Sequence, residues 1–181
     1  PIKASGKLEN LQDRTRLNQI RLQIGEMVAN VDGEVTYEFS YDLSAQISGP
    51  DSSRLEPLTR IDMPAESFDI AAQLTGDSKT LTIAQIDAAI GNSKASGQID
   101  FAFGDPLRIT GDITSPHLDL TAFIDKEIET EEAPRDSDRR YVFDDSDRID
   151  MTPYGLIVKA ALRADRVVMH GGQLTGVDFG L

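Results

Sequence analysis

The sequence has no cysteine and no tryptophan. Without thiols it can form no disulfide, no thiolate nucleophile and no cysteine-based metal site. Aromatic residues amount to only 6%, so an apolar core has to be built from aliphatic side chains. Basic residues are few against acids, 18 Lys and Arg to 31 Asp and Glu, for a net charge of −13. That balance argues against nucleic acid, whose phosphates need clustered Lys and Arg. It also disfavours electrostatic attraction to anionic lipid surfaces. No run approaches the ~20 consecutive apolar residues of a membrane-spanning helix. The chain starts at Pro1 with no signal-like apolar run, which reads as a piece excised from a longer protein.

Catalytic and metal signatures are equally sparse. His117 and His170 are the only histidines, 53 positions apart (170 − 117), so a zinc pair is a remote reading. Asp144, Asp145, Asp147 and Asp150 suggest calcium, but the EF-hand glycine and terminal glutamate are missing, and a solvated loop explains them. No Gly-x-Ser-x-Gly elbow occurs. Asp51 and Glu56 are too ordinary a carboxylate pair to indicate a glycosidase, and Gly104-Asp105-Pro106 reads as a turn rather than a phosphate loop. The expectation is a protein that is not an enzyme, with no cofactor and no metal.

What the sequence does contain is alternation. From Val35 to Ile47 every odd position is apolar or aromatic and every even position polar, the pattern of a half-buried strand. One strand of that length would span roughly 40 Å, well beyond the usual 5–6 residues. A repeat resolves the question. Gln19-Ile20 matches Gln85-Ile86, Ile24-Gly25 matches Ile90-Gly91, and Ile47 and Pro50 match Ile113 and Pro116, each 66 positions on (85 − 19, 116 − 50). Copy one carries about two extra residues before Gly33, and copy two about two extra at its turn, where Gly104-Asp105-Pro106 marks a hairpin. The matching place in copy one is Tyr41-Asp42. The long stretch is therefore expected to be two strands, about Gly33–Ser40 and Leu43–Ser48.

Phe68, Ile70, Ala72 and Leu74 alternate in the same way. Leu81 and Ile83 do too, but Ile86, Ala88 and Ile90 switch parity without a turn residue, which predicts a bulge. Each copy reads as about five short strands in a meander. A third pattern starts near Tyr154, with Leu156 to Ala164 alternating and a turn at Gly171-Gly172. Between lies 125–150, with eleven acids and five bases. Leu118, Leu120, Phe123, Ile124 and Ile128 suit the stripe of a short helix, and about 129–140 reads as a mobile loop.

The fold expected is mainly β: repeated antiparallel β-meander units forming a curved sheet or open β-groove, with at most short helices. Two similar units span 1–124 (about 1–58 and 68–124), an acidic linker or loop 125–150, and the start of a third β unit 151–181; one continuous β domain is the other division. A sheet with one apolar face must bury it under a second sheet, a helix or an apolar ligand. The row expected to be either core or lipid-facing is Val35, Tyr37, Phe39, Ile99, Phe101, Phe103, Leu107 and Ile109.

The stretch from Ser67 to Leu120 resembles the repeat of the AsmA family, envelope proteins of Gram-negative bacteria. The likeness rests on Leu74-Thr75-Gly76, Ile90-Gly91, Ser93, Ser96-Gly97 and Leu118-Asp119-Leu120. Leu162 to Leu181 is similar to the motif opening the family's later repeats, and "YVFDDSDRID" to the linker before it. Copy one departs, with "GEMVANVDGE" in place of the Gly-x-Ser-x-x-Ser-Gly core. The resemblance implies a periplasmic chain, anchored to the inner membrane by a segment absent here. It implies a role in outer-membrane biogenesis and an apolar groove for phospholipid or another acyl-chain lipid, with envelope proteins as further partners. The alternative is a non-catalytic interaction scaffold for outer-membrane protein assembly.

Overall fold

A computed structural model of the chain describes residues 2–56, 63–121, 155–169 and 171–180. Ten strands form one sheet in sequence order. The first four are β1 (Ile2–Asn10), β2 (Arg14–Ile24), β3 (Met27–Thr36) and β4 (Tyr41–Gly49). The next four are β5 (Phe68–Gly76), β6 (Thr80–Ile90), β7 (Ser93–Ala102) and β8 (Leu107–Asp119). β9 (Leu156–Met169) and β10 (Gly172–Gly180) complete it. A 3-10 turn, Ser52–Leu55, lies between β4 and β5. The protein is thus mainly β, with repeated antiparallel strands in an open sheet.

The two copies hold four strands each rather than five. Met27 to Thr36 is one continuous strand, because Gly33 allows the chain a φ of 137° without a turn. The strands of copy two begin 66 positions after those of copy one throughout, so no extra residues fall in either copy. Gly33 and Gly97 are consequently not equivalent positions. Gly33 pairs with Leu17 and Gly97 with Ile86. Both still serve one purpose, since a Cβ on either would stand 2.1 Å from the carbonyl oxygen of the neighbouring strand.

The long alternating stretch is indeed two strands, but the reversal sits at 37–40 and not at Tyr41-Asp42, which open β4. Phe39 N–H donates to the Thr36 carbonyl and Thr36 N–H to the Ser40 carbonyl, with Phe39 at φ 64°. This is a three-residue loop, a turn followed by a left-handed residue. Nothing in the residue types signals it, since the left-handed position carries phenylalanine instead of glycine. The equivalent turn in copy two is 103–106, where Gly104-Asp105-Pro106 was expected to lie.

The bulge expected from the parity switch is present. The β6–β7 register shifts between Ile83 and Ile86, with Gln85 at φ 50°. Its counterpart shifts the β2–β3 register between Leu17 and Ile20, with Gln19 at φ 50°. The repeated Gln-Ile is therefore the bulge itself.

All neighbouring strands are antiparallel except β8 and β9, which run parallel from Leu107↔Leu156 to Asp119↔Val168. A parallel pair needs a long connection, here the 36 residues numbered 120–155. Leu118 lies in β8 and not on a helix, and Leu120 N–H donates to the Val168 carbonyl. Phe123, Ile124, Ile128, the 129–140 loop, Asp144, Asp145, Asp147, Asp150 and His170 lie outside the described residues.

Candidate functional site: an uncovered apolar face

Pairing register shows what each face carries. One row crosses nine strands: Leu8, Leu17, Gly33, Leu43, Leu74, Ile83, Ile99, Gly111 and Ala160. Every member is aliphatic or glycine. On the other face Ser5, Arg21, Asn30, Gln46, Ala71, Asp87, Ser96, Thr114, Arg163 and Asp178 cross all ten strands. There only Ala71 is apolar. The bulges preserve this segregation, since each returns the next apolar residue to its own face.

The polar face is held by cross-strand pairs. Glu34 joins Arg14 and Arg16, at 3.0 and 2.7 Å. The Arg14 hydrogen bond, then that from Arg16, holds the Glu34 carboxyl below its ordinary value. Thr82 donates to Asp100 at 2.7 Å and lowers that carboxyl too, with Gln98 as the second donor. Arg163 lies 3.4 Å from Asp112 and 3.9 Å from Asp178, tying β8, β9 and β10. These partly exposed pairs each add little stability, but they make this face a solvated one.

No second layer covers the apolar face among the described residues. Only Leu55, Phe68, Ala164 and Val167 are buried hydrophobic residues there, a very small core for ten strands. Leu43, Leu74, Ile83 and Ile99 remain half-exposed. Closure is local. At one end of the strands Ser52 accepts nothing from solvent: its N–H donates to the Glu66 carbonyl and its Oγ–H to the Pro64 carbonyl. This pins the 3-10 turn near Phe68, which packs beside Gly49 and Met27. The opposite end carries exposed Tyr37 and Phe39, with Phe39 73% accessible.

The expected row divides accordingly. Val35, Ile99, Phe101, Leu107 and Ile109 stand on the apolar face of β3, β7 and β8. Phe101 lies opposite Leu81 and Ile109 and stacks on Phe103, ring centroids 6.4 Å apart. Tyr37 and Phe39 sit in the β3–β4 turn: Tyr37 N–H still donates to the Asp13 carbonyl and its Oη–H reaches Asn10 and the Leu11 carbonyl, while Phe39 takes the left-handed position. Phe103 occupies the matching turn of copy two. The recess overlooked by that expectation lies at the closed end. It is apolar, about 140 Å³, and lined by Ala88, Ile90, Ser93, Lys94, Ala95, Leu118 and Leu120. The alternation of Ala88 and Ile90 is visible in the sequence, but Leu118 and Leu120 read there as a helix stripe, and their convergence with the first two depends on the β6–β7–β8 register.

Among the described residues, no group of three or more His, Asp or Glu is placed to hold a metal, and no helix is long and apolar enough to cross a membrane. No protein-family model, curated protein or solved structure matches the chain.

Proposed function

We propose that the apolar face holds the acyl chains of phospholipid or a similar lipid, as part of an open conduit in an AsmA-like envelope protein. The observation that carries this reading is the continuous aliphatic row over nine strands with no protein layer on it among the described residues. Burying a methylene gains about 0.8 kcal/mol wherever it happens, and the attraction has no preferred direction. A chain on this surface is therefore held firmly yet can slide, because each lateral step exchanges one Leu or Ile contact for another. The headgroup stays in water beyond the face, and no catalytic residue is required. In this reading the chain works in the periplasm, tethered to the inner membrane by another part of its parent, in outer-membrane biogenesis.

The test is lipid mass spectrometry on protein purified from bacterial cells without detergent. Co-purifying phospholipid, lost in a Leu43→Asp/Ile99→Asp variant that stays folded by circular dichroism, supports the proposal. Protein free of lipid, which also fails to take up a fluorescent fatty acid, sinks it.

A further inference from the structure

Charge is unevenly spread over the polar face. In a chain with 13 more acids than bases (31 − 18), the polar face of β1 and β2 carries Lys3, Lys7, Arg14, Arg16 and Arg21 against a single acid, Glu9. Three of these cations are already neutralised. Lys7 lies 2.6 Å from Glu9, and Arg14 and Arg16 share Glu34 of β3. Lys3 and Arg21, both exposed, have no ion pair and no side-chain hydrogen bond among the described residues.

Register places these two together. Lys3 stands opposite Gln23 and Ser5 opposite Arg21, so Lys3 and Arg21 are diagonal neighbours on one face. Such Cβ atoms are about 7 Å apart, within joint reach of two long side chains. Along their own rows no acid follows until Asp69 of β5, past Gln23, Val28 and Ser48, and Asp87 of β6, past Asn30, Gln46 and Ala71. Each lies four strand spacings away, roughly 19 Å, about twice the distance over which salt screens charge. Asp32, two residues beyond Asn30, comes closer to Arg21, but its carboxylate accepts the Gln19 N–H at 2.6 Å. Lys3, Ala4, Ser5, Arg21 and Gln23 line a shallow recess of about 470 Å³.

We propose that this recess binds the dianionic phosphoryl group of a small soluble phosphomonoester. Arg21 offers a planar fork of N–H donors matched to two phosphoryl oxygens, and Lys3 brings a second positive charge to the third. The Ser5 hydroxyl and one amide hydrogen of Gln23 complete the donor set; the other Gln23 hydrogen goes to the Gly25 carbonyl at 3.0 Å. All four side chains can donate, and none is a carboxylate. A carboxylate ligand would bring one charge and two oxygens, leaving one cation unanswered. The charge of the whole chain repels an extended anionic membrane, whereas a small ion feels chiefly the charges within a screening length. The recess lies on the face of β1 and β2, so a further strand beside β1 would leave it open. It is also across the sheet from the aliphatic row, and the inference does not depend on what that row binds.

The test is a nuclear magnetic resonance titration of the isotope-labelled chain with inorganic phosphate, then with glycerol phosphate, at constant ionic strength. Saturable amide shifts centred on residues 3–5 and 21–23 are expected, and none from chloride. Arg21→Gln and Lys3→Gln should each weaken binding about tenfold or more, the worth of a charged hydrogen bond. Arg21→Lys, which keeps the charge without the fork, should weaken it less. Lys7→Gln should leave the affinity nearly unchanged, since Lys7 belongs to Glu9. The substituted side chains at Lys3 and Arg21 are exposed, so the circular dichroism of these variants should match the parent. Failure of both phosphate and glycerol phosphate to saturate a site overturns the proposal. So does binding that Arg21→Gln leaves intact, or binding found only with vesicles of phosphatidic acid, which would assign the patch to a membrane surface instead.

Discussion

Phe101→Ala separates an open face from a sealed core. A phenylalanine side chain brings about 150–250 Å² of surface, and Phe101 is only half-buried, between Leu81 and Ile109. The variant forfeits on the order of 80 Å² of buried apolar area, which at about 25 cal/mol per Å² is ~2 kcal/mol. Loss of the Phe103 stack adds on the order of 0.5 kcal/mol, because that partner is itself exposed. No cavity term arises, since the vacated space opens to solvent. Phe68 is the internal control. It is 4% accessible, beside Gly49 and Met27, so Phe68→Ala leaves a true void and should cost about 3–5 kcal/mol. Urea unfolding of both variants, with m-values compared to confirm the same unfolding reaction, gives the two numbers. Equal losses of about 4 kcal/mol would mean that Phe101 is covered, and the reasoning would fail.

Gly97→Ala should destabilise by more than about 2 kcal/mol, since φ 154° and a Cβ 2.1 Å from the Asp112 carbonyl oxygen cannot both be relieved; thermal unfolding reads this directly. Phe39→Gly should instead stabilise by about 0.5–1 kcal/mol, because the left-handed turn position is strained for phenylalanine and the ring is 73% exposed; a lower melting temperature would count against it. The folded Glu34 carboxyl is depressed by Arg14 and then Arg16, so its contribution is present above the ordinary carboxylate range and disappears as pH falls through the folded value. Glu34→Gln should therefore lower stability at neutral pH and be indistinguishable from the parent in strong acid, as measured by urea midpoints at both.

Much of this architecture was legible because β-sheet patterning is local. Strict alternation in Val35–Ile47 and Phe68–Leu74 assigned faces, and the parity switch between Ile83 and Ile86 located a bulge. Its twin at Gln19 shows the same switch, from Leu17 to Ile20. The turn at 37–40 was hidden because Phe39 occupies a position that usually announces itself with glycine or asparagine. The two extra residues expected before Gly33 came from setting that glycine against Gly97: each glycine answers a close approach by the next strand, and that demand falls on different sides of the bulge in the two copies. Parallel pairing of β8 with β9 leaves no trace in either strand's pattern, as both show the same period of two. Of the candidate row, the strand residues lie on the apolar face and Phe103, just past β7, still stacks on Phe101 there, whereas Phe39 sits at a left-handed turn position that alternation alone does not register. That the face lacks a second layer among the described residues is a property of the assembled sheet.

Site-resolved photocrosslinking most directly tests whether this face holds lipid. A photoreactive residue is placed at Leu43, Ile99 or Ile109 on the apolar face and at Ser44, Gln98 or Arg108 on the polar face, then irradiated in cells. The account predicts lipid adducts from the first three positions and none from the second three. Adducts of equal yield from both faces, or none from Leu43 and Ile99 in a folded protein, would contradict it.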